Sequence, residues 1–269
     1  MAKKKRLIIP VFTPFGGCPH KCVFCDQRGI TGQSGMPTIE EVSAKITEYL
    51  VTWKGSGRRE VAFYGGSFTG LPAGVQQEYL GAAKAFVDAG KIDGLRISTR
   101  PDYIDADVIE RLPGFKVEVV ELGVQSLDNE VLALSGRGHG VKSVEAAVGL
   151  LKEAGIEVGL QLMPGLPGDS EERILETARA AAALAPAFVR IYPTLVLRDT
   201  ALAELYDAGR YAAWSLTDMV EVLRKVNRVF EKAGIKIIRM GLHSSKELEH
   251  SLIDGPYHPD LRGLVAKAG

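Results

Sequence analysis

Cys18-Pro19-His20-Lys21-Cys22-Val23-Phe24-Cys25 holds all three cysteines of the chain within eight residues. Thiols this close in sequence are hard to explain by packing, and they can meet at one point only if the backbone forms a loop. The flanking glycines that permit such a loop are Gly16, Gly17, Gly29 and Gly32. An iron–sulfur cubane usually has four cysteine ligands. Three cysteines would leave one iron open, as catalytic metal sites require.

Three other interpretations of the cysteines stay open at this point. A disulfide would pair two of them and leave one over, and it needs an oxidising compartment. A zinc site could use the three thiolates with His20, although His20 would be cramped inside the Cys18–Cys22 loop. Buried free cysteines that only pack are the third possibility.

The Cys-x3-Cys-x-aromatic-Cys spacing resembles the signature of the radical S-adenosylmethionine (SAM) superfamily. The resemblance implies a [4Fe–4S] cluster on Cys18, Cys22 and Cys25, with SAM chelated to the open iron. It also implies reductive cleavage of SAM to a 5′-deoxyadenosyl radical that takes a hydrogen atom from a substrate. The electron would come from a one-electron reductant of the flavodoxin or ferredoxin type.

Composition narrows the class of protein. The chain has 269 residues, 46% of them hydrophobic, and no formal net charge. No apolar run is long enough to span a membrane, and the segment after the basic start is too short for a signal peptide. We therefore expect a cytoplasmic protein. The charge balance argues mildly against strong nucleic-acid binding, although a local basic patch is compatible with a neutral total.

Apolar runs alternate with helical patterns along the chain. The predicted strands are Leu7–Phe12, Glu60–Tyr64, Leu95–Thr99, Val117–Val124, Glu157–Leu162, Phe188–Tyr192 and Ile235–Met240. The predicted helices are Thr38–Trp53, Ala73–Ala89, Asp105–Arg111, Val141–Ala154, Ser170–Leu184 and Ser215–Ala233. This order predicts an α/β fold with a parallel sheet, which periodicity alone cannot assign to a barrel or an open sheet.

The superfamily resemblance favours a partial (β/α)6 barrel with a C-terminal extension packed on it. Residues 1–195 would form the barrel core and residues 196–269 the extension, which includes a loop-rich tail at Leu252–Pro259. Ligands should then sit at the C-terminal ends of the strands.

Polar and glycine-rich loops follow the predicted strands. Gly65, Gly66 and Ser67 follow the second strand and resemble the superfamily's motif for the methionyl amino group of SAM. Ser98 or Thr99, after the third strand, would face the barrel mouth, or would only cap the strand. By the same resemblance, Gln161 is a candidate for a ribose contact, and Tyr192 would lie beside adenine.

Gln125 ends the fourth strand, and Arg137 follows it in Ser135-Gly136-Arg137-Gly138-His139. This block is similar to oxygen-independent coproporphyrinogen oxidase and to the radical-SAM domain of the Elongator catalytic subunit, in which the glutamine and arginine contact SAM. A guanidinium can grip a carboxylate with two hydrogen bonds. The alternative for Arg137 is a surface salt bridge. His139 is either a proton donor or an ordinary loop histidine.

The resemblance to Elongator-type proteins covers nearly the whole chain. Their acetyltransferase domain has no counterpart among these residues, so the tRNA substrate does not follow directly. We expect a radical SAM enzyme, with a tRNA base as the first choice of substrate and a porphyrinogen or other small molecule as the second. A non-catalytic zinc or iron–sulfur module that binds RNA is the alternative from another class.

Overall fold

The core is a sheet of seven parallel strands that curls into a half-barrel in the computed structural model, which describes residues 6–18, 22–27 and 35–267. The strands in chain order are β1 Leu7–Thr13, β2 Arg59–Gly65, β3 Gly94–Thr99, β4 Val117–Gln125, β5 Glu157–Leu162, β6 Phe188–Ile191, β7 Val196–Leu197, β8 Lys236–Met240 and β9 Leu252–Asp254. Strands β1 to β6 are neighbours in sequence order and β8 pairs with β6, while β7 and β9 form a separate antiparallel pair.

Helices connect the strands and cover the outside of the sheet. They are α1 Ile39–Thr52, α2 Ala73–Asp88, α3 Ala106–Arg111, α4 Asn129–Leu134, α5 Val141–Glu153, α6 Glu171–Ala183, α7 Ala201–Asp207, α8 Leu216–Lys232, α9 Lys246–Ser251 and α10 Leu261–Lys267. The capping box expected at Thr38 is present, because the Thr38 hydroxyl accepts from Glu41 N and the Glu41 carboxylate accepts from Thr38 N. Gly90, Gly155 and Gly234 have φ near +70° after three helices, as helix-terminating glycines do.

The predicted partial barrel is confirmed, and it is wider than six strands. The seventh strand, β8, comes from the segment predicted to be an extension, and it continues the parallel sheet beside β6. The tail predicted to be loop-rich, Leu252–Pro259, contains the short strand β9 and is otherwise loop, and the short helices α9 and α10 flank it. These elements have only three to seven residues, too short for a hydrophobic period to reveal them. The boundary at residues 195 and 196 stays a prediction.

A layer of charged side chains crosses the inside of the half-barrel. Arg96 on β3 is fully buried, and its guanidinium donates to Glu60 and Glu121 at 2.8 Å each. Arg190 on β6 donates to the other oxygen of Glu121 at 2.5 Å, and Tyr64 donates to Glu121 at 3.0 Å. Each buried carboxylate thus faces a buried guanidinium, as burial of charge requires.

No helix in the described ranges is both long and apolar enough to cross a membrane.

The buried layer predicts a large effect on stability. Arg96→Gln would leave Glu60 and Glu121 without their shared cation, and removing one partner of a buried pair costs about 3–5 kcal/mol. Arg59→Gln is the matched control, since the Arg59–Asp93 pair is about one third exposed and surface pairs contribute about 0–1 kcal/mol. Urea unfolding followed by circular dichroism measures both. A loss below about 1 kcal/mol for Arg96→Gln would contradict the assigned role.

Candidate functional site

One cavity of about 580 Å³ opens at the carboxyl ends of the strands, within the range of small-molecule and cofactor sites. All eleven residues predicted from the sequence to bind metal or cofactor line it. They are Cys18, Cys22, Cys25, Gly65, Gly66, Ser67, Ser98, Gln125, Arg137, Gln161 and Tyr192. The parallel sheet brings them together because all of its strands end at the same edge.

The cysteine loop is joined to the end of β2 by backbone contacts. The Thr13 carbonyl accepts from Gly16 N and from Gly66 N, both at 3.0 Å, and Ser67 N donates to the Gly16 carbonyl at 2.7 Å. A Cβ at Gly66 would overlap the backbone of Gly16, and one at Gly17 would overlap the Ser67 carbonyl. The two glycine-containing turns therefore pack backbone to backbone, and this contact decides where Cys18 lies.

Each cysteine sulfur has its own polar neighbour. Cys18 Sγ lies 3.5 Å from Ser67 Oγ, Arg137 Nη1 donates to Cys22 Sγ at 3.2 Å, and Gln27 Nε2 donates to Cys25 Sγ at 3.6 Å. Within residues 6–18, 22–27 and 35–267, no three His, Cys, Asp or Glu side chains are drawn together tightly enough to hold a metal ion. The three thiols face one cavity without forming a closed ligand set, and His20 of the zinc interpretation lies outside the described residues.

Burial and the neighbouring Cys22 raise the pKa of the Cys25 thiol to about 12. A thiol in such surroundings is neutral near pH 7, and coordination to a metal deprotonates it.

Arg137 is buried, with only 5% of its surface exposed. No carboxylate in the described part of the chain pairs with it. One of its terminal nitrogens contacts Cys22 and the other donates to the Gly123 carbonyl. The surface salt bridge considered for Arg137 is therefore wrong. The guanidinium stands behind the cysteine loop with its Nε free of any described partner.

Gln125 is also buried, and its backbone is left-handed with φ of 71°. Its backbone carbonyl accepts from Met163 N at 2.8 Å, which ties the end of β4 to the loop after β5. Its side-chain Oε1 has no partner among the described residues. A buried acceptor without a partner is uncommon in native proteins and calls for an explanation.

Arg100 is a third polar group of this kind, and the sequence reasoning missed it. Its guanidinium is held by Asp102 through two hydrogen bonds of 2.9 and 2.7 Å, and its remaining Nη1 is buried without a described partner. The side chain is 3% exposed and lines the cavity. The signal was present, since Arg100 is an arginine directly after a predicted strand end.

The other residues predicted from the sequence differ in whether their side chains already make a hydrogen bond within the protein. Thr99 is occupied, because it shares a hydrogen bond of 2.6 Å with Thr69 Oγ1. Ser98 and Gln161 line the cavity and have no side-chain hydrogen bond within the described ranges. The Tyr192 hydroxyl accepts a long hydrogen bond of 3.5 Å from Arg190. Thr99 thus supports the loop after β2, while Ser98 is the free hydroxyl of that pair.

His139 does not line the cavity, so it is not placed to deliver a proton there. Burial, and then the cation of Arg137, lower its pKa to about 4. Both ring nitrogens are buried without a described partner. The interpretation as an ordinary loop histidine fits this position better than that of a proton donor.

The floor of the cavity is polar, which the sequence reasoning also missed. Glu121 and Arg190, from the charged layer, line it together with Tyr64. The cations of Arg190 and Arg96 hold the pKa of Glu121 below its usual range despite the opposing effect of burial. A charged residue inside an otherwise apolar strand was the available signal for both Glu121 and Arg190.

Comparison with known proteins agrees with this architecture. Residues 12–181 match the radical SAM superfamily, and residues 186–268 match the radical SAM C-terminal domain. The chain belongs to the radical SAM superfamily. Its members are enzymes that use an iron–sulfur cluster and SAM, so the radical SAM interpretation of the cysteine spacing is confirmed at this level.

Three individual proteins illustrate the relationship. A tRNA uridine(34) acetyltransferase of Dehalococcoides mccartyi is 31% identical over 87% of this chain and 62% of its own length. The solved archaeal Elp3 of Methanocaldococcus infernus, lacking its N-terminus, superimposes with a TM-score of 0.78 at 25% identity, over 98% of this chain and 62% of that one. Coproporphyrinogen III oxidase of Escherichia coli matches in fold, with a TM-score of 0.63 at 19% identity, over 86% of this chain and 53% of that one. The chain thus spans less than two thirds of these relatives.

The packing of the two turns predicts the effect of Gly66→Ala. The added Cβ would push the cysteine loop off the end of β2, and overpacking of this kind costs about 1–3 kcal/mol. We expect lower stability together with a loss of iron uptake on anaerobic reconstitution.

Gly74→Ala is the control, since a Cβ there meets nothing within 4 Å. It lies in α2, where the change should stabilise by about 0.4–1 kcal/mol. Urea unfolding and iron content are measured on both variants. Normal iron uptake by Gly66→Ala would contradict the role of the turn packing.

Proposed function

We propose that the chain binds one [4Fe–4S] cluster through Cys18, Cys22 and Cys25 and holds SAM in the adjoining cavity. When bound, the cluster supplies the electron that cleaves SAM to methionine and a 5′-deoxyadenosyl radical. The observation that carries the proposal is that all three cysteines line one cavity together with three residues, Gln125, Arg137 and Arg100, that each have a buried polar atom without a described partner.

The unpartnered atoms match the chemistry of the methionyl group of SAM. An ammonium group needs acceptors, which Gln125 Oε1 offers, and a carboxylate needs donors, which Arg137 Nε and Arg100 Nη1 offer. An unsatisfied buried polar group costs about 1–3 kcal/mol. A ligand that satisfies all three atoms would remove these penalties, which favours binding of a zwitterion beside the cysteines.

The remaining predicted contacts extend this arrangement along the cavity. The backbone of Gly65, Gly66 and Ser67 offers donors and acceptors to the amino acid part, while Ser98, Gln161 and Tyr192 are proposed for the ribose and adenine. Phe15, Phe24 and Leu195 also line the cavity, and their apolar surface would exclude water from a reactive intermediate. The chain has only three cysteines, so it offers none for a second cluster.

A tRNA base is the proposed substrate, and an external one-electron reductant is the proposed partner. The support is the similarity to proteins named as tRNA uridine(34) acetyltransferases. Because the chain covers only part of these relatives, the acetyl transfer named for them is not included in the proposal.

Anaerobic reconstitution tests the cofactor assignment. Wild-type protein should take up about four irons per chain, the content of one cubane, and should form 5′-deoxyadenosine from SAM with a chemical reductant. Cys22→Ala should lose both, whereas Ser135→Ala should keep both because its buried Oγ has no described partner.

Zinc-loaded, colourless wild-type protein without SAM cleavage would instead favour the non-catalytic RNA-binding module. A Cys22→Ala variant that retained four irons and SAM cleavage would contradict the ligand assignment.

Arg137→Lys tests the SAM contact. Lysine keeps the charge but cannot contact Cys22, the Gly123 carbonyl and a carboxylate together, as a guanidinium can. Losing a charge-assisted hydrogen bond costs about 1.5–3 kcal/mol, which corresponds to a loss of roughly tenfold to a hundredfold in SAM affinity. Calorimetry on reconstituted protein measures this, with iron content checked first.

The control is Arg173→Lys, on a surface arginine that pairs with Glu130, and it should bind SAM as wild type does. Equal affinity of Arg137→Lys and wild type would remove Arg137 from the SAM site. Loss of iron together with affinity would assign it to support of the cysteine loop through Cys22.

A further inference from the structure

One row of residues crosses three neighbouring strands at the open edge of the half-barrel. Gln161 on β5 is in register with Arg190 on β6, and Arg190 is in register with Arg239 on β8. Residues in register on parallel strands point to the same face of the sheet. Gln161 and Arg190 line the cavity, and Arg239 lies just outside its lining on the same face of the sheet.

The two arginines in this row differ in how their charge is balanced. Arg190 is paired with Glu121, at 2.5 and 3.2 Å. The Nε of Arg239 donates a hydrogen bond of 2.8 Å to the Gly241 carbonyl. No carboxylate in the described part of the chain lies within ion-pair distance of the Arg239 guanidinium. Like charges on directly opposed residues of neighbouring strands are destabilising, so an uncompensated Arg239 beside Arg190 needs an explanation.

Further positive charge surrounds the same place. Arg262 on α10 donates to the Ile237 carbonyl of β8, next to Arg239. His243 follows β8, lines the cavity and is exposed at its mouth. Burial lowers the pKa of Arg239, and the cations of Arg190 and Arg262 lower it further, against the opposing effect of Tyr192. Burial, Arg239 and Arg190 lower the pKa of His243 in the same way. In both cases neighbouring cations add to the effect of burial.

SAM does not account for this charge in the proposed arrangement. The only anionic group of SAM is its carboxylate, which the proposal assigns to Arg137 and Arg100 beside the cysteines. Arg190 and Arg239 belong to β6 and β8, at the opposite edge of the sheet from β1, which leads into the cysteine loop. An anion at the row of Arg190 and Arg239 must therefore belong to another molecule.

We propose that Arg239, with Arg190 and His243, forms an anion-binding subsite that holds a phosphate group of the substrate. Guanidinium groups suit phosphate because they offer parallel donors in a planar fork. The inference rests on the proposed function for the identity of the cavity, and it adds a recognition element: a phosphate attached to the nucleotide whose base enters the cavity. The same chemistry would serve a phosphate of an RNA backbone or of a free nucleotide.

Binding of a fluorescently labelled single-stranded hexauridylate tests the proposal. Fluorescence anisotropy over a salt series compares four anaerobically reconstituted proteins, which are wild type, Arg239→Gln, Arg239→Lys and Arg179→Gln. Arg179 is the matched control because it is an exposed arginine on the outer helix α6. We expect Arg239→Gln to weaken binding by about tenfold. Its plot of log affinity against log salt should be shallower by about 0.7, the value for one phosphate contact on a single strand. Arg239→Lys should lose less, and Arg179→Gln nothing.

Competition with free uridine and uridine monophosphate (UMP) identifies the source of the phosphate. If UMP displaces the hexauridylate from wild type but not from Arg239→Gln, and uridine is weaker than UMP, a nucleotide phosphate is enough for the subsite. If only the oligonucleotide depends on Arg239, the subsite binds a backbone phosphate. The proposal would be overturned if Arg239→Gln and Arg179→Gln bound the hexauridylate and UMP with the same affinities and the same salt slopes.

Two further measurements separate this proposal from others. Arg239→Gln should keep the iron content and the SAM affinity of wild type, and its stability should be equal or higher, because the substitution removes a charge opposed to Arg190. A variant that lost stability or iron would assign Arg239 a structural role and overturn the subsite. Failure of the wild type to bind a cluster would count against the proposed cofactor, whereas Arg239-dependent phosphate binding is measurable in that protein as well.

Discussion

The backbone contact between Gly16-Gly17 and the turn at Gly66 is the constraint on which the site depends. The Thr13 carbonyl accepts hydrogen bonds from both turns, so the end of β1 and the end of β2 are joined at one atom. A side chain at Gly17 or Gly66 would occupy the space that the opposing backbone fills. The first cysteine is therefore positioned by the sheet itself, and Arg137, buried behind Cys22, supports the second from the loop after β4.

A half-barrel has an open side, and its interior cannot be filled by apolar side chains alone without exposing them there. This chain places Glu121 at the centre of the interior and surrounds it with Arg96, Arg190 and Tyr64. Most hydrogen-bonding capacity of the carboxylate is used within the protein, so the layer serves as a rigid polar floor. A rigid floor is useful beneath a cofactor, because it holds the surrounding strand ends at fixed separations.

Local pattern was sufficient to predict the seven strands of the main sheet and the main helices. The predicted cofactor and metal residues came from the cysteine spacing and the family resemblance, and they omitted Arg100, Glu121 and Arg190 of the cavity lining. Apolar runs, helix caps and terminating glycines act over a few residues, and parallel strands bring the residues after them to one edge. The contacts of Glu121, Arg190 and Arg137 could not be predicted in this way, because they depend on the register between strands and on loops far apart in sequence. The Arg137–Cys22 contact, for example, joins residues 115 positions apart. Strands as short as β7 and β9 carry no period at all.

Positive charge lies in two separate places, in and beside the cavity, and this separation has a consequence for orientation. Arg100 and Arg137 lie near the cysteines, while Arg190 and Arg239 lie on the last two strands of the sheet. Glu121 neutralises Arg190, whereas no carboxylate among the described residues lies within ion-pair distance of Arg239. In the proposed arrangement, a zwitterionic cofactor and a phosphate-bearing substrate each have one preferred end. Two anions then enter the same cavity without competing for one cation, and the uncharged parts between them are brought face to face. The charges would thus set the direction in which substrate meets cofactor, while the polar floor and apolar walls set how close they come.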